Sequence, residues 1–128
     1  MAAKDVVRTE RAPAPFQGAP YNQAIVAGDL VFVAGQLGLT ADGRMIEGGI
    51  GEQTEQVMRN LGAILGEAGS GLDRLVKTTV FLTDLGNFAG MNEVYARYVG
   101  ETPPARSTVE ISALPSGALV EIEAVATR

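Results

Sequence analysis

Leu75-Val76-Lys77-Thr78-Thr79-Val80-Phe81-Leu82-Thr83 is rich in Val, Thr and Phe, residues that favour extended backbone. Val76, Thr78, Val80 and Leu82 project to one side of such a strand, and Lys77, Thr79, Phe81 and Thr83 to the other. Both sides carry apolar groups, so a central strand covered on both faces is expected. A helical period flanks it on each side. Upstream, Val57, Leu61, Ile64, Leu65 and Ala68 make one apolar stripe over about 52–68, with Glu55, Arg59 and Glu67 off it. Gly69-Ser70-Gly71 ends that helix. Downstream, Asp84 offers a turn or cap, and Phe88, Met91, Val94, Tyr95 and Tyr98 mark a second amphipathic helix over about 87–99. Gly100 and the pair Pro103-Pro104 terminate it.

The outer segments read as strands. Ala24–Ala27 and Leu30–Ala34 flank Gly28-Asp29, a hairpin signal. Gly35 closes the second run and reads either as a close backbone approach, to chain or ligand, or as the start of a bend. Ala41-Asp42-Gly43-Arg44 is a turn, after which Met45 begins a short return strand. After Pro104, Arg106, Thr108 and Glu110 share one face of a strand, and Ser107, Val109 and Ile111 the other. The last strand runs from Leu119 to Ala126 and carries Glu121 and Glu123 on one side. Ala12–Pro20 is a Pro/Ala/Gly lead-in, and residues 1–18 are expected to be extended and to precede the sheet. Tyr21, just after it, is either a loop residue facing a cleft or an aromatic lid on the core. Gly48-Gly49-Ile50-Gly51 resembles a phosphate cradle only loosely: it lacks the P-loop Lys-Ser/Thr, and Glu52 and Glu55 would repel an anion there.

A chain of 128 residues with 46% hydrophobic content fits one α+β domain, 1–128. Two helices with one stripe each can both cover one face of a mixed sheet. The other face then holds Glu121, Glu123, Arg106 and Thr108 beside apolar groups, which invites closed self-association. The sequence has no cysteine and no histidine, which removes thiol chemistry, thiolate metal sites and the commonest general base. A carboxylate-only metal site stays open by composition, but no EF-hand-like acidic spacing appears, and no metal or cofactor is expected. A net charge of −5 with scattered basic residues argues against nucleic acid as a partner. No apolar run approaches the ~18 residues of a membrane span, and Met1–Glu10 lacks the apolar core of a secretory signal. A soluble cytoplasmic protein is the expectation. Arg106, the single arginine of its strand, is either a carboxylate clamp or half of a salt bridge with a nearby glutamate.

Six segments in register resemble one family: Ala19-Pro20-Tyr21-Asn22-Gln23-Ala24-Ile25, Val33-Ala34-Gly35-Gln36, Val76–Leu82, Met91-Asn92-Glu93-Val94-Tyr95, Pro104-Ala105-Arg106-Ser107 and Val120-Glu121-Ile122-Glu123-Ala124. They resemble the RidA (YjgF) family of imine/enamine deaminases over about residue 12 to the C-terminus. The resemblance implies a fold like bacillus-type chorismate mutase and a homotrimer with an inner barrel and sites between subunits. It implies cofactor-independent hydrolysis of imines or enamines, such as 2-aminoacrylate, to 2-oxo acids and ammonia. The alternative is a non-catalytic trimer that binds 2-oxo acids. By resemblance Arg106 clamps the substrate carboxylate and Glu121 activates water, with Glu123 the competing choice. Tyr21, Gly35 and Asn92 line the substrate site, although Asn92 also reads as a helix-packing amide. Two departures stand out: Ala34 where many members have serine, and Thr108 where some have cysteine.

Overall fold

The computed structural model describes residues 3–128. Ala24–Ala27 (β2) and Leu30–Gln36 (β3) form the expected antiparallel hairpin, with Ala27 opposite Leu30. Gly28 at the turn has φ +61°, a conformation that costs glycine little. The helices are Ile50–Glu67 (α1) and Phe88–Val99 (α2). The strand Leu75–Leu82 (β4) lies between them, and Ala105–Glu110 (β5) and Val120–Thr127 (β6) follow.

The N-terminal segment adds an element that the sequence did not announce. Lys4–Val7 (β1) pairs antiparallel with β2 at the sheet edge. Four residues are too few to show a period, and the order comes from the partner strand. The buried Gln23 amide holds the next stretch. It accepts from the Thr9 N–H at 2.7 Å and donates to the Thr9, Ala12 and Pro13 carbonyls.

The six strands run in the order β1-β2-β3-β6-β4-β5. β4 is antiparallel to β6 and parallel to β5. A parallel pair needs a crossover, and α2 supplies it. Both helices lie on one face. Their stripes, Val57, Leu61, Ile64 and Leu65 on α1 and Met91 and Tyr95 on α2, bury against Val31, Val33, Val80, Leu82, Val120 and Ile122. The α1 start is closed by its own sequence. The Glu52 carboxylate accepts the Gly49 N–H at 2.9 Å, a bond that lowers its pKa, and so occupies the end a phosphate would need. Leu39 and Met45 form only an isolated bridge, the remnant of the expected return strand.

Two expectations about faces are corrected. First, the described residues cover β4 on one side only: Thr78, Val80 and Leu82 are buried, whereas Lys77 is exposed and Thr79 and Phe81 are half-buried. A bulge opposite β6 between Leu75 and Lys77 also throws Val76 out of the core, leaving it 42% exposed. Second, Arg106 and Thr108 do not share a face with Glu121 and Glu123. The β4–β5 register sets Arg106 opposite Thr78, Thr108 opposite Val80 and Glu110 opposite Leu82. Paired residues project to the same side, and Thr78, Val80 and Leu82 are buried beneath the helices. Glu121 and Glu123 pair with Phe81 and Thr79, on the uncovered side. Alternation fixes which residues of a strand share a face. It does not fix which side of the sheet that face becomes.

Candidate functional site

Arg106 emerges from β5 beneath α2. Its guanidinium carbon lies 5.0 Å from the centre of the Tyr95 ring and 5.4 Å from that of Phe88. Those residues are seven apart on α2, so both rings project on the side of the helix that faces β5. Asn92, four after Phe88 and three before Tyr95, falls on the same stripe. No carboxylate among the described residues lies within 4.0 Å of the guanidinium. The reading of Arg106 as half of a salt bridge within its own chain is therefore set aside. Aromatic faces attract the cation without accepting its in-plane N–H groups, so the planar fork keeps its donors.

Two buried oxygens nearby lack any hydrogen-bond partner among the described residues, Asn92 Oδ1 and Thr108 Oγ1. Thr108 is two residues along the same face of β5 as Arg106. Buried polar atoms are normally satisfied, and these two orphans lie on α2 and β5, the elements that also carry the half-buried cation and its rings. A packing role alone leaves the Asn92 orphan unexplained.

The second group of residues sits on the far side of the sheet. The Glu121 side chain lies directly against Gly35: a Cβ at that glycine would stand 2.7 Å from Glu121 Cδ and Oε1. Gly35 falls where the β3–β6 register shifts, between Val33 and Gln36. Close approach, of the two readings of this glycine, is thus the one observed, and its neighbour is the glutamate. Burial, with the Glu123 charge a smaller cause, holds the Glu121 carboxyl above its ordinary pKa. Glu123 is exposed and borders a shallow hollow with Phe32, Lys77 and Thr79. Tyr21 shares a cleft with Phe16, Gly35 and Gln36. Its ring is 40% exposed, so it is not a core lid, and its hydroxyl oxygen accepts the Phe16 N–H at 2.9 Å.

Each chain thus brings the expected residues together in two groups. Arg106 and Asn92 stand on the helix side of the sheet; Glu121 lies against Gly35 on the other, and Tyr21 shares a cleft with Gly35. β4 separates the strands of Arg106 and Glu121, and their partners Thr78 and Phe81 are three residues apart. That amounts to about 10 Å across and about 10 Å along the sheet, with side chains on opposite faces. The aromatic platform under Arg106 was not foreseen as such. Phe88 and Tyr95 carried only a core signal, and their seven-residue spacing gains meaning once β5 is set beneath α2.

The chain matches the family described as Endoribonuclease L-PSP over residues 9–128. It is 51% identical over 125 residues to a RutC family protein of Pyrococcus abyssi, covering 97% of each chain. It is 47% identical to the chloroplastic Reactive Intermediate Deaminase A of Arabidopsis thaliana, over 97% of this chain and 66% of that one. Among solved structures, E. coli TdcF with bound serine superposes with a TM-score of 0.91 at 36% identity, covering 97% of this chain and 98% of that one. A match across nearly the whole length, carried by sequence and fold alike, shows that the chain belongs to the RidA/YjgF/Endoribonuclease L-PSP (RutC) family.

Proposed function

We propose that this protein hydrolyses imine or enamine derivatives of amino acids to 2-oxo acids and ammonia, at sites completed between subunits of a homotrimer. Arg106, Asn92 and Thr108 come from one subunit, and Tyr21, Gly35 and Glu121 from its neighbour. The observation that carries this reading is the setting of Arg106: a half-buried guanidinium on two aromatic rings, with no acid partner among the described residues, between elements that also carry two orphaned oxygens. The arginine fork meets a small planar carboxylate with two parallel hydrogen bonds, the Thr108 hydroxyl can donate to an acceptor, and Asn92 Oδ1, an acceptor, suits an N–H such as that of an imine. The names of two relatives point the same way, one a reactive intermediate deaminase and one a protein holding serine.

In this reading the Glu121 carboxylate takes a proton from water as the oxygen adds to the imine carbon. The proton held by Glu121 then passes to the carbinolamine nitrogen, the C–N bond breaks to release ammonia, and the hydroxyl proton returns to the Glu121 carboxylate as the C=O of the 2-oxo acid forms. A carboxyl held above its ordinary pKa is the stronger base, and its acid form remains available to the departing nitrogen. Arg106 and the orphaned oxygens orient the substrate. Gly35 leaves room for Glu121, and Tyr21 borders the entrance. The family description names an endoribonuclease. A net charge of −5 and the absence of histidine supply neither a phosphate-binding footprint nor the commonest acid–base pair for that reaction.

The test is release of 2-oxo acid from an imine generated in the cuvette by an amino-acid oxidase. The protein should accelerate that release, and Arg106→Ala should reduce kcat/KM by about a hundredfold or more, the scale of a lost charge-assisted pair, while remaining folded. Full activity in Arg106→Ala would sink the assignment. Saturable 2-oxo acid binding with no turnover of any imine would instead favour the non-catalytic binding trimer.

A further inference from the structure

We infer that Tyr95 and Phe88 are positioning residues that hold Arg106 in its carboxylate-binding pose in place of an acidic partner. This rests on the reading of Arg106 as the substrate clamp. A carboxylate salt-bridged to Arg106 would fix it equally well, but it would occupy the donors that the substrate needs. Two ring faces avoid that conflict, because they attract the cation through the quadrupole and leave the N–H fork open.

The rings are themselves tied to the strands that flank the site. The Tyr95 hydroxyl bonds Thr78 Oγ1 at 2.7 Å, on the residue of β4 that pairs with Arg106. Both Tyr95 and Thr78 are buried, so this bond is shielded from water. At the other end, the Glu110 carboxylate of β5 accepts the Leu85 N–H at 2.9 Å. Glu110 shares the face of Arg106, and its bond holds the turn that leads into Phe88. Each ring is therefore referenced to a strand beside the guanidinium, Tyr95 directly and Phe88 through its turn. Glu110 lies four residues along β5 from Arg106, about 13 Å away, and turns its carboxylate to a backbone N–H.

The proposal is tested by calorimetric binding of glyoxylate and 2-oxobutanoate to the full chain, with kcat and KM measured on the oxidase-generated imine. Tyr95→Phe keeps the ring face but removes its bond to Thr78, and should weaken both acids by only about two- to threefold, clearly less than loss of the ring. Tyr95→Leu and Phe88→Leu should each weaken both acids by about tenfold, the scale of a partly desolvated cation–π contact. KM should rise in step while kcat changes little. The Arg106 Nε–H resonance, shielded by the rings, should move downfield in both leucine variants. Tyr95 is buried, so if Tyr95→Leu does not fold the decision rests on Phe88→Leu, whose ring is 41% exposed. The inference is overturned if the folded leucine variants bind as the parent does. It is overturned equally if Tyr95→Phe loses as much as Tyr95→Leu, or if the Phe88→Leu loss is confined to 2-oxobutanoate, which has a side chain to touch. Arg106→Ala separates the two levels: undiminished glyoxylate binding there refutes the clamp itself, whereas lost binding there with intact leucine variants refutes only the platform.

Discussion

Glu121 is the residue whose environment says most about chemistry. Burial is the larger cause of its raised pKa and the Glu123 charge the smaller. A general base must be deprotonated to act, so a raised pKa moves the acid limb of the kcat/KM profile to higher pH. Glu123→Gln removes the like charge, lowers the Glu121 pKa and should shift that limb to lower pH. An unmoved limb would mean that Glu123 does not reach the base. Glu121→Gln should abolish turnover rather than shift the limb. At Gly35 the argument is steric. A Cβ there would meet Glu121 Cγ at 2.9 Å and its carboxyl closer still. The end of a glutamate side chain can swing aside, so Gly35→Ala should fold with little loss of melting temperature. Its kcat should fall by roughly tenfold or more, the cost of a misplaced catalytic group; parent-like kcat would show that the Gly35 contact is irrelevant to catalysis. At this scale the sequence was only partly readable. Arg106 and Glu121 stood out through resemblance to a family, not through their neighbours. Without a register, nothing in a strand of alternating residues tells which side of the sheet an arginine will occupy.

The helices and the inner strands were legible because their periods are long enough to repeat. The stripe from Val57 to Leu65 and the alternation from Thr78 to Leu82 both face the core as expected. Short or irregular elements were not legible. β1 is ordered by its partner, and the bulge beside Val76 follows from pairing with β6. The polar pins of α1 were also hidden, since a buried amide on an apolar stripe looks like a lapse in the pattern. Asn60 Nδ2 donates to the Leu37 and Leu39 carbonyls at 3.1 and 2.9 Å, and Gln53 Oε1 accepts the Leu119 N–H at 2.8 Å. Together these bonds fasten the loop after β3 and the start of β6 to α1. They thereby fix the two segments that flank Gly35 and Glu121. Asn60→Ala strands two buried carbonyls and should cost about 2–4 kcal/mol of stability. Thermal or urea unfolding measures it, and a loss below about 0.5 kcal/mol, the range of an ordinary surface substitution, would contradict the pinning role.

At the scale of the molecule, one face of the sheet lacks a cover among the described residues. Phe32 is 45% exposed and Val76 42%, with Phe81 and Val125 half-buried beside them. An apolar sheet face of this kind marks an association surface. For a 13.3 kDa chain, the proposed trimer has a mass of about 40 kDa. In the proposed trimer, Arg106 and Glu121, which leave one subunit on opposite faces, would meet across two chains. On the proposed function, each active site draws Arg106 from one subunit and Glu121 from another. Mixed assembly tests it most directly. Arg106→Ala and Glu121→Gln subunits, each inactive alone, are unfolded together in equal amounts, refolded, and assayed for imine hydrolysis. Random assembly across shared interfaces gives one intact site in about four, so activity should return to about a quarter of the parent value. A mixture that assembles normally yet stays as inactive as its components would contradict the account, since it would place both residues in one subunit's site.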